Sequence, residues 1–287
     1  MHITIIQLII NGLLLGGIYA LISIGLTLIF GVLEIINFAH GEFLMLGMYA
    51  AYWLFTLYGL DPYLSLMIIL PLFFLIGLFV QRVAIQPIID APPLNQIFMT
   101  VGLSMVLQNA ALFFWKADYR TVRTAHSALT LKTSGLIVSF PRLVAFVLAM
   151  MAIATLLLYL KKTYTGKAIR ALAQERRGAM LMGINVYRTY QIAFGIGIAC
   201  VGVAGAMLIP VYYAFPTVGS LFVLIAFVVV ILGGYNSLIG ALIGGLIIGL
   251  VEAFSGFFLS PHLKEAVYFV IFILILLFRP TGLFGRA

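Results

Sequence analysis

The stretch Ile3–Leu33, ITIIQLIINGLLLGGIYALISIGLTLIFGVL, contains no charged residue and no proline. A bilayer core about 30 Å thick is crossed by about 20 apolar residues in a helix. This run is longer, which predicts a membrane span with a kink. No basic cluster precedes it and no A-x-A-like site follows, so it reads as a retained first span rather than a cleaved leader. Further apolar runs follow at about Phe43–Leu57, Tyr63–Val80, Ile97–Trp115, Leu143–Leu160, Thr189–Ile209, Leu221–Leu232, Ser237–Phe258 and Ala266–Phe278. Those near Phe43 and Leu221 are short, as half-helices lining a cavity are. The expected fold is all-α: a polytopic transmembrane helical bundle of eight to ten spans, forming one domain over residues 1–287. A membrane β-barrel is excluded, because its strands alternate every second residue.

Composition agrees. Of the 287 residues, 64% are hydrophobic and 8% charged, where a soluble domain has roughly a quarter charged; mean hydropathy is +1.21. The net charge of +8 reflects basic residues flanking spans, and no basic stripe interleaved with aromatics points to nucleic acid. The single cysteine, Cys200, excludes an internal disulfide. His2, His40, His126 and His262 are scattered, and neither an H-E-x-x-H nor a C-x-x-C spacing occurs, so neither a metal site nor a catalytic centre is expected. No G-x-x-x-x-G-K-[ST] loop occurs either. Any ATP hydrolysis must come from another chain.

Two basic loops set the orientation. Residues 161–188 hold seven Lys and Arg against Glu175, and residues 116–142 hold five against Asp118. One span separates them, so they face opposite sides. The denser cluster is the expected cytoplasmic one, which makes 116–142 an external loop. Counting from it places Gln81–Gln96 and the C-terminus, with Arg279 and Arg286, on the cytoplasmic side; the side of the N-terminus stays open.

Within 164–188 an amphipathic helix is expected from Lys167 to Gly183. Ala168, Ile169, Leu172, Ala173 and Met180 form its apolar face, and Lys167, Arg170, Gln174 and Arg177 lie opposite. Gly166 precedes it and Gly183 stops it. Two readings are open: a helix lying on anionic lipid, or a docking element, favoured because a plain connector needs only about 2–8 residues.

Polar residues inside apolar sequence carry the remaining signal. Asn37 is a candidate cap for a helix starting near Phe38, with His40 and Glu42 in its first turns and Glu34 just upstream. These residues either anchor a helix or line a translocation route or gate. Ser104, Gln108 and Asn109 either line a polar path or bond to neighbouring helices. Glu252 is either a paired structural carboxylate or a route residue. Glycines four apart, Gly12/Gly16, Gly240/Gly244 and Gly245/Gly249, allow close helix packing within the subunit or against another. Leu15–Gly25 and Leu232–Ala241 share Leu-Gly-Gly followed by Tyr, by a weak repeat or by chance. Pro210 and Pro216 bracket VYYAF, suggesting a broken element on the outer side.

INFAHGE (Ile36–Glu42), TVGLSMVLQN (Thr100–Asn109), TGKAIRALAQERRGAMLMGIN (Thr165–Asn185), the Gly-rich stretch from Leu232 to Ala253 and RPTGLFGR (Arg279–Arg286) occur in this order. Together they resemble the permease subunits of ABC importers for branched-chain amino acids, with urea and short-amide permeases as close relatives. The chain departs from that pattern at Gln86–Pro93, where an Arg-Pro pair is usual, and at Gly234–Ser237, where Gly-x-Gly-Ser is usual. The resemblance implies a multi-pass protein of a bacterial inner membrane that binds no cofactor itself. Two ATP-binding subunits carrying ATP and Mg²⁺ would receive the coupling helix, including Glu175 and Arg176. A second homologous permease and a periplasmic solute-binding protein, met by the external basic residues, would complete the system. The reading from another class is a stand-alone secondary transporter or channel using Glu34, Glu42 and Glu252 as proton or cation sites.

Overall fold

A computed structural model describes residues 2–124, 129–133, 136–259, 263–279 and 281–285. His126, His262, Arg286 and parts of the external loop lie outside the described residues. The described chain is almost wholly helical: α1 (His2–Leu33), α2 (His40–Tyr58), α3 (Leu66–Val80), α4 (Pro93–Trp115), α5 (Phe140–Lys162), α6 (Tyr164–Gln174), α7 (Arg176–Leu181), α8 (Val186–Leu208), α9 (Val218–Gly233), α10 (Leu238–Phe258) and α11 (Lys264–Phe278), with an antiparallel two-stranded ribbon β1 (Thr130–Thr133) and β2 (Leu136–Ser139) before α5. Six helices are long and apolar enough to cross a membrane, and α9 and α11 are shorter apolar helices. The chain is a multi-pass membrane protein.

The long first span is one unbroken helix, α1, of 32 residues. With α8 it forms the centre of the bundle; the most apolar windows of these two are 83% and 78% buried, against 11% for α4. Lipid is as apolar as leucine, so packing rather than water exclusion must hold such helices together. Glycine supplies the close approach. Gly12 and Gly16 meet Gly249 and Gly245 along the α1–α10 seam, where any Cβ would run into backbone. The other pair, Gly240 and Gly244, faces α9 instead, and its two members differ. Gly240 abuts the Gly233 backbone at the α9–α10 turn, whereas a Cβ on Gly244 would stop 3.0 Å from the Val229 carbonyl oxygen. Gly244 is thus a close-packing glycine too, tight against α9 backbone but less so than Gly240. All six pack within this subunit. Leu15–Gly25 lies inside α1 while Leu232–Ala241 spans the α9–α10 turn, so the shared letters mark no structural repeat.

A different symmetry is present. Gly25 of α1 and Gly197 of α8 each face the other's carbonyl, and so do Gly41 of α2 and Gly219 of α9. Around these two crossings α1 pairs with α10 as α8 pairs with α3, and α2 contacts α8 as α9 contacts α1. The arrangement is that of an inverted repeat, α1–α2–α3 against α8–α9–α10. The N-terminus of α1 lies on the β-ribbon side, where Gln7 bonds to Ile137, while α6 and α7 lie at the opposite end. The earlier loop is shorter than expected, because α3 runs on through a π-helical turn (Gln81–Ile85) and a 3-10 turn to Ile88.

Candidate functional site

The first site is a helix break. Glu34 ends α1 with a left-handed φ of +58°, which for a non-glycine residue costs about 1–2 kcal/mol. Residues 34–37 are non-helical, and α2 starts only at His40. The chain has by then turned back into the bundle: His40 Nε2 donates to the Ile22 carbonyl at 3.0 Å, eleven residues before the end of α1. Across from it, Ser104 donates to Glu42 Oε1 at 3.2 Å, and Ser104 is the central residue of the 23-residue α4. Thr100 Oγ1 pins the non-helical segment by donating to the Ile36 carbonyl at 2.9 Å. So α2 begins at mid-depth. Its partner α9 likewise begins there, since Gly219 crosses Gly41, and residues 209–217, with Pro210 and Pro216, form the non-helical approach on the ribbon side.

Polar atoms at this break go unmet. Asn37 is fully buried, yet among the described residues neither its Oδ1 nor its Nδ2 has a partner; His40 Nδ1 and Glu42 Oε2 are also unpaired. The expected capping by Asn37 does not occur, because Ala39 holds the cap position and no side chain bonds to the first turn. A buried polar group without a partner costs roughly 1–3 kcal/mol. Gln108 is half-buried on α4, and Asn109 is exposed and bonds only to Met105 of its own helix at 2.8 Å.

The second cluster joins α1, α10 and α11. Glu252 accepts from Tyr19 Oη at 2.5 Å and from Lys264 Nζ at 2.8 Å. Sequence reasoning reaches Glu252 but neither partner. Tyr19 lies 233 residues away, and a tyrosine in an apolar run carries no sign of what it faces; Lys264, at the start of the last apolar run, is the available clue.

The third region is the connector between α5 and α8. The single expected helix is two, α6 and α7, broken at Glu175. Glu175 is extended (φ −159°), and its carboxylate caps α7 by accepting from Arg177 N and Gly178 N. Thr163 caps α6 by accepting from Gly166 N at 3.0 Å, so Gly166 lies inside the helix rather than before it. Ala168, Ile169 and Leu172 are buried, but the break swings Met180 to the exposed side at 55%. Ala173 is half-buried, Lys167, Arg170 and Arg177 are exposed, and Gly183 ends the unit with φ +81°. Arg176 reaches back to Asp90 at 2.9 Å and lies over the Tyr190 ring; the bond to Asp90 holds its guanidinium above the usual range. In the external loop, Arg120 does not point outward. It bonds to the Trp115 carbonyl, sits over the Tyr52 and Trp53 rings and pairs in backbone with Ala214.

A model of the branched-chain amino acid transport system permease component matches residues 8–276. The chain belongs to that family. It is 34% identical to the high-affinity branched-chain amino acid transport system permease protein BraD of Pseudomonas aeruginosa, over 98% of this chain and 96% of BraD. It is 33% identical to LivH of Salmonella typhimurium over the same shares, and 28% identical to a probable LivH of Methanocaldococcus jannaschii over 96% of this chain and 91% of that protein. No solved structure matches. The protein is thus a membrane-embedded transport subunit of a multi-component system and not an enzyme.

Proposed function

We propose that the chain is the permease of an ABC importer that passes branched-chain amino acids across a bacterial inner membrane. The observation that carries the coupling half of this reading is the α6–α7 elbow. Leu181 and Met182 stand 88% and 82% exposed beside the exposed Lys167, Arg170 and Arg177. Apolar side chains rimmed by charge at the water-facing end of a bundle suit a protein partner. Two ATP-binding subunits, carrying ATP and Mg²⁺, would seat on this surface. Beneath it, α6 packs on α1, α5 and α8, so a push on the elbow reaches the central helices directly. The names of the relatives support branched-chain amino acids as solute.

In the same reading a second permease chain covers the exposed face of α4, which carries Asn109, while Ser104 stays turned inward on Glu42. The solute's route reaches Asn37, His40 and Glu42 inside this chain when the bundle opens, and a solute-binding protein delivers the solute on the ribbon side. Purification after gentle solubilisation, followed by uptake of radiolabelled leucine into vesicles, tests this. ATPase subunits and a second permease should co-purify, and uptake should require ATP. Uptake driven by a proton gradient after their removal would replace this reading with a secondary transporter.

A further inference from the structure

A cavity of about 190 Å³ opens between α1, α9, α10 and α11, many times the ~10–15 Å³ one water needs. Its apolar wall includes Tyr212, Phe222, Val228 and Phe269, and Tyr119 and Phe215 close it on the ribbon side. Phe222 is braced edge-on by Tyr19 and Tyr212, with ring centroids 6.3 and 5.6 Å away. The Glu252–Lys264 pair lies in the same wall, with Glu252 only 7% exposed. Its partner Lys264 is half-buried, with a side chain 34% exposed, and ionisable groups at membrane depth are costly. The pair gives an otherwise apolar cavity one anion and one cation.

Resting on the branched-chain reading above, we propose that this cavity is a binding site within the permease for a zwitterionic aliphatic α-amino acid. Glu252 takes the ammonium, Lys264 takes the carboxylate, and the aliphatic side chain lies against Phe222, Val228 and Phe269. The charge pattern selects the ligand class. One anion and one cation, 2.8 Å apart, match a molecule that carries one of each on adjacent carbons. A simple amine or acid would pair with one and leave the other without a ligand charge. The carboxylate already accepts two bonds, but ionised it offers about four acceptor positions. Lying toward the ribbon end of α10, the site is placed to receive solute as it enters. A lipid acyl chain, the competing occupant, would use the apolar wall and ignore the charges.

The test is equilibrium dialysis of radiolabelled L-leucine against the purified chain in lipid nanodiscs, with 4-methylpentanoate and 3-methylbutylamine as competitors that each lack one charged group. Leucine should bind saturably and each competitor about tenfold or more weakly. Glu252→Gln should weaken leucine by about tenfold. Val228→Phe, which fills the cavity and leaves the ion pair intact, should abolish binding while thermal unfolding shows a folded protein. Equal binding of leucine and 4-methylpentanoate, no saturable leucine binding, or undiminished binding in Val228→Phe would overturn the proposal. So would a phospholipid retained by wild type and lost in Val228→Phe without leucine binding. If ATP-driven leucine uptake by the full transporter persists while the permease binds no leucine, this inference alone falls. If leucine is neither bound nor transported, the functional reading falls with it.

Discussion

The helix breaks at Glu175 and between Leu33 and His40 both carry polar residues, and they are built in opposite ways. At Glu175 every exposed end is met: the carboxylate caps α7, Thr163 caps α6, and Arg176 is paired with Asp90. Between Leu33 and His40 the reverse holds, with four polar atoms of Asn37, His40 and Glu42 buried and unpaired among the described residues. Water would satisfy loose groups at the surface for nothing, yet there the chain satisfies them itself, which stiffens the elbow. At mid-depth unmet groups are expensive, yet there they are kept. In the proposed function, the difference would separate a part that transmits force from a part that meets solute.

The largest expected effect comes from the crossing that fixes the mid-depth break. Gly41→Leu drives a side chain into the Gly219 backbone and should cost about 3 kcal/mol, read as loss of monodisperse protein in detergent. A folded, stable variant would show that the two half-helices do not meet there. Next, Asn37→Leu removes an unpaired buried amide. Thermal stability should rise by about 1 kcal/mol while uptake falls about tenfold; stability gained with uptake unchanged would make Asn37 idle. At the elbow, Glu175→Ala should cost about 1 kcal/mol of local helix stability, seen as faster amide exchange confined to α7. The smallest effect belongs to Asp90→Ala, which breaks a pair exposed at 42% and 61% and should shift stability by no more than about 1 kcal/mol.

Much of this was legible in the sequence because a membrane writes its demands as composition. Runs of apolar residues gave the helices, and the short ones near Phe43 and Leu221 gave the two that start at mid-depth. What stayed hidden depends on distance and direction. Nothing in the sequence near Glu252 names Tyr19. Spacing alone marks Gly240 and Gly244 as equals, but only the path of α9 decides that Gly240 is pressed harder against its backbone than Gly244. Asn37 has the chemistry of a cap, but the turn at Glu34 delivers Ala39 to that position instead. The apolar spacing through Met180 suits one helix; the carboxylate of Glu175 made two, since a side chain that satisfies the next helix's first amides must itself leave helical geometry. The resemblance implies that the basic residues of the external loop meet a solute-binding protein, whereas Arg120 is spent on aromatic rings and a carbonyl inside the protein.

The central claim is that force enters through the surface of α7. Its most direct test is ATP-driven leucine uptake by the reconstituted transporter carrying Leu181→Glu, a substitution at a side chain that touches little of its own chain. The account predicts a normally inserted permease whose uptake falls about tenfold or more and whose hold on the ATPase subunits weakens. Full uptake with the ATPase subunits bound as before would contradict it.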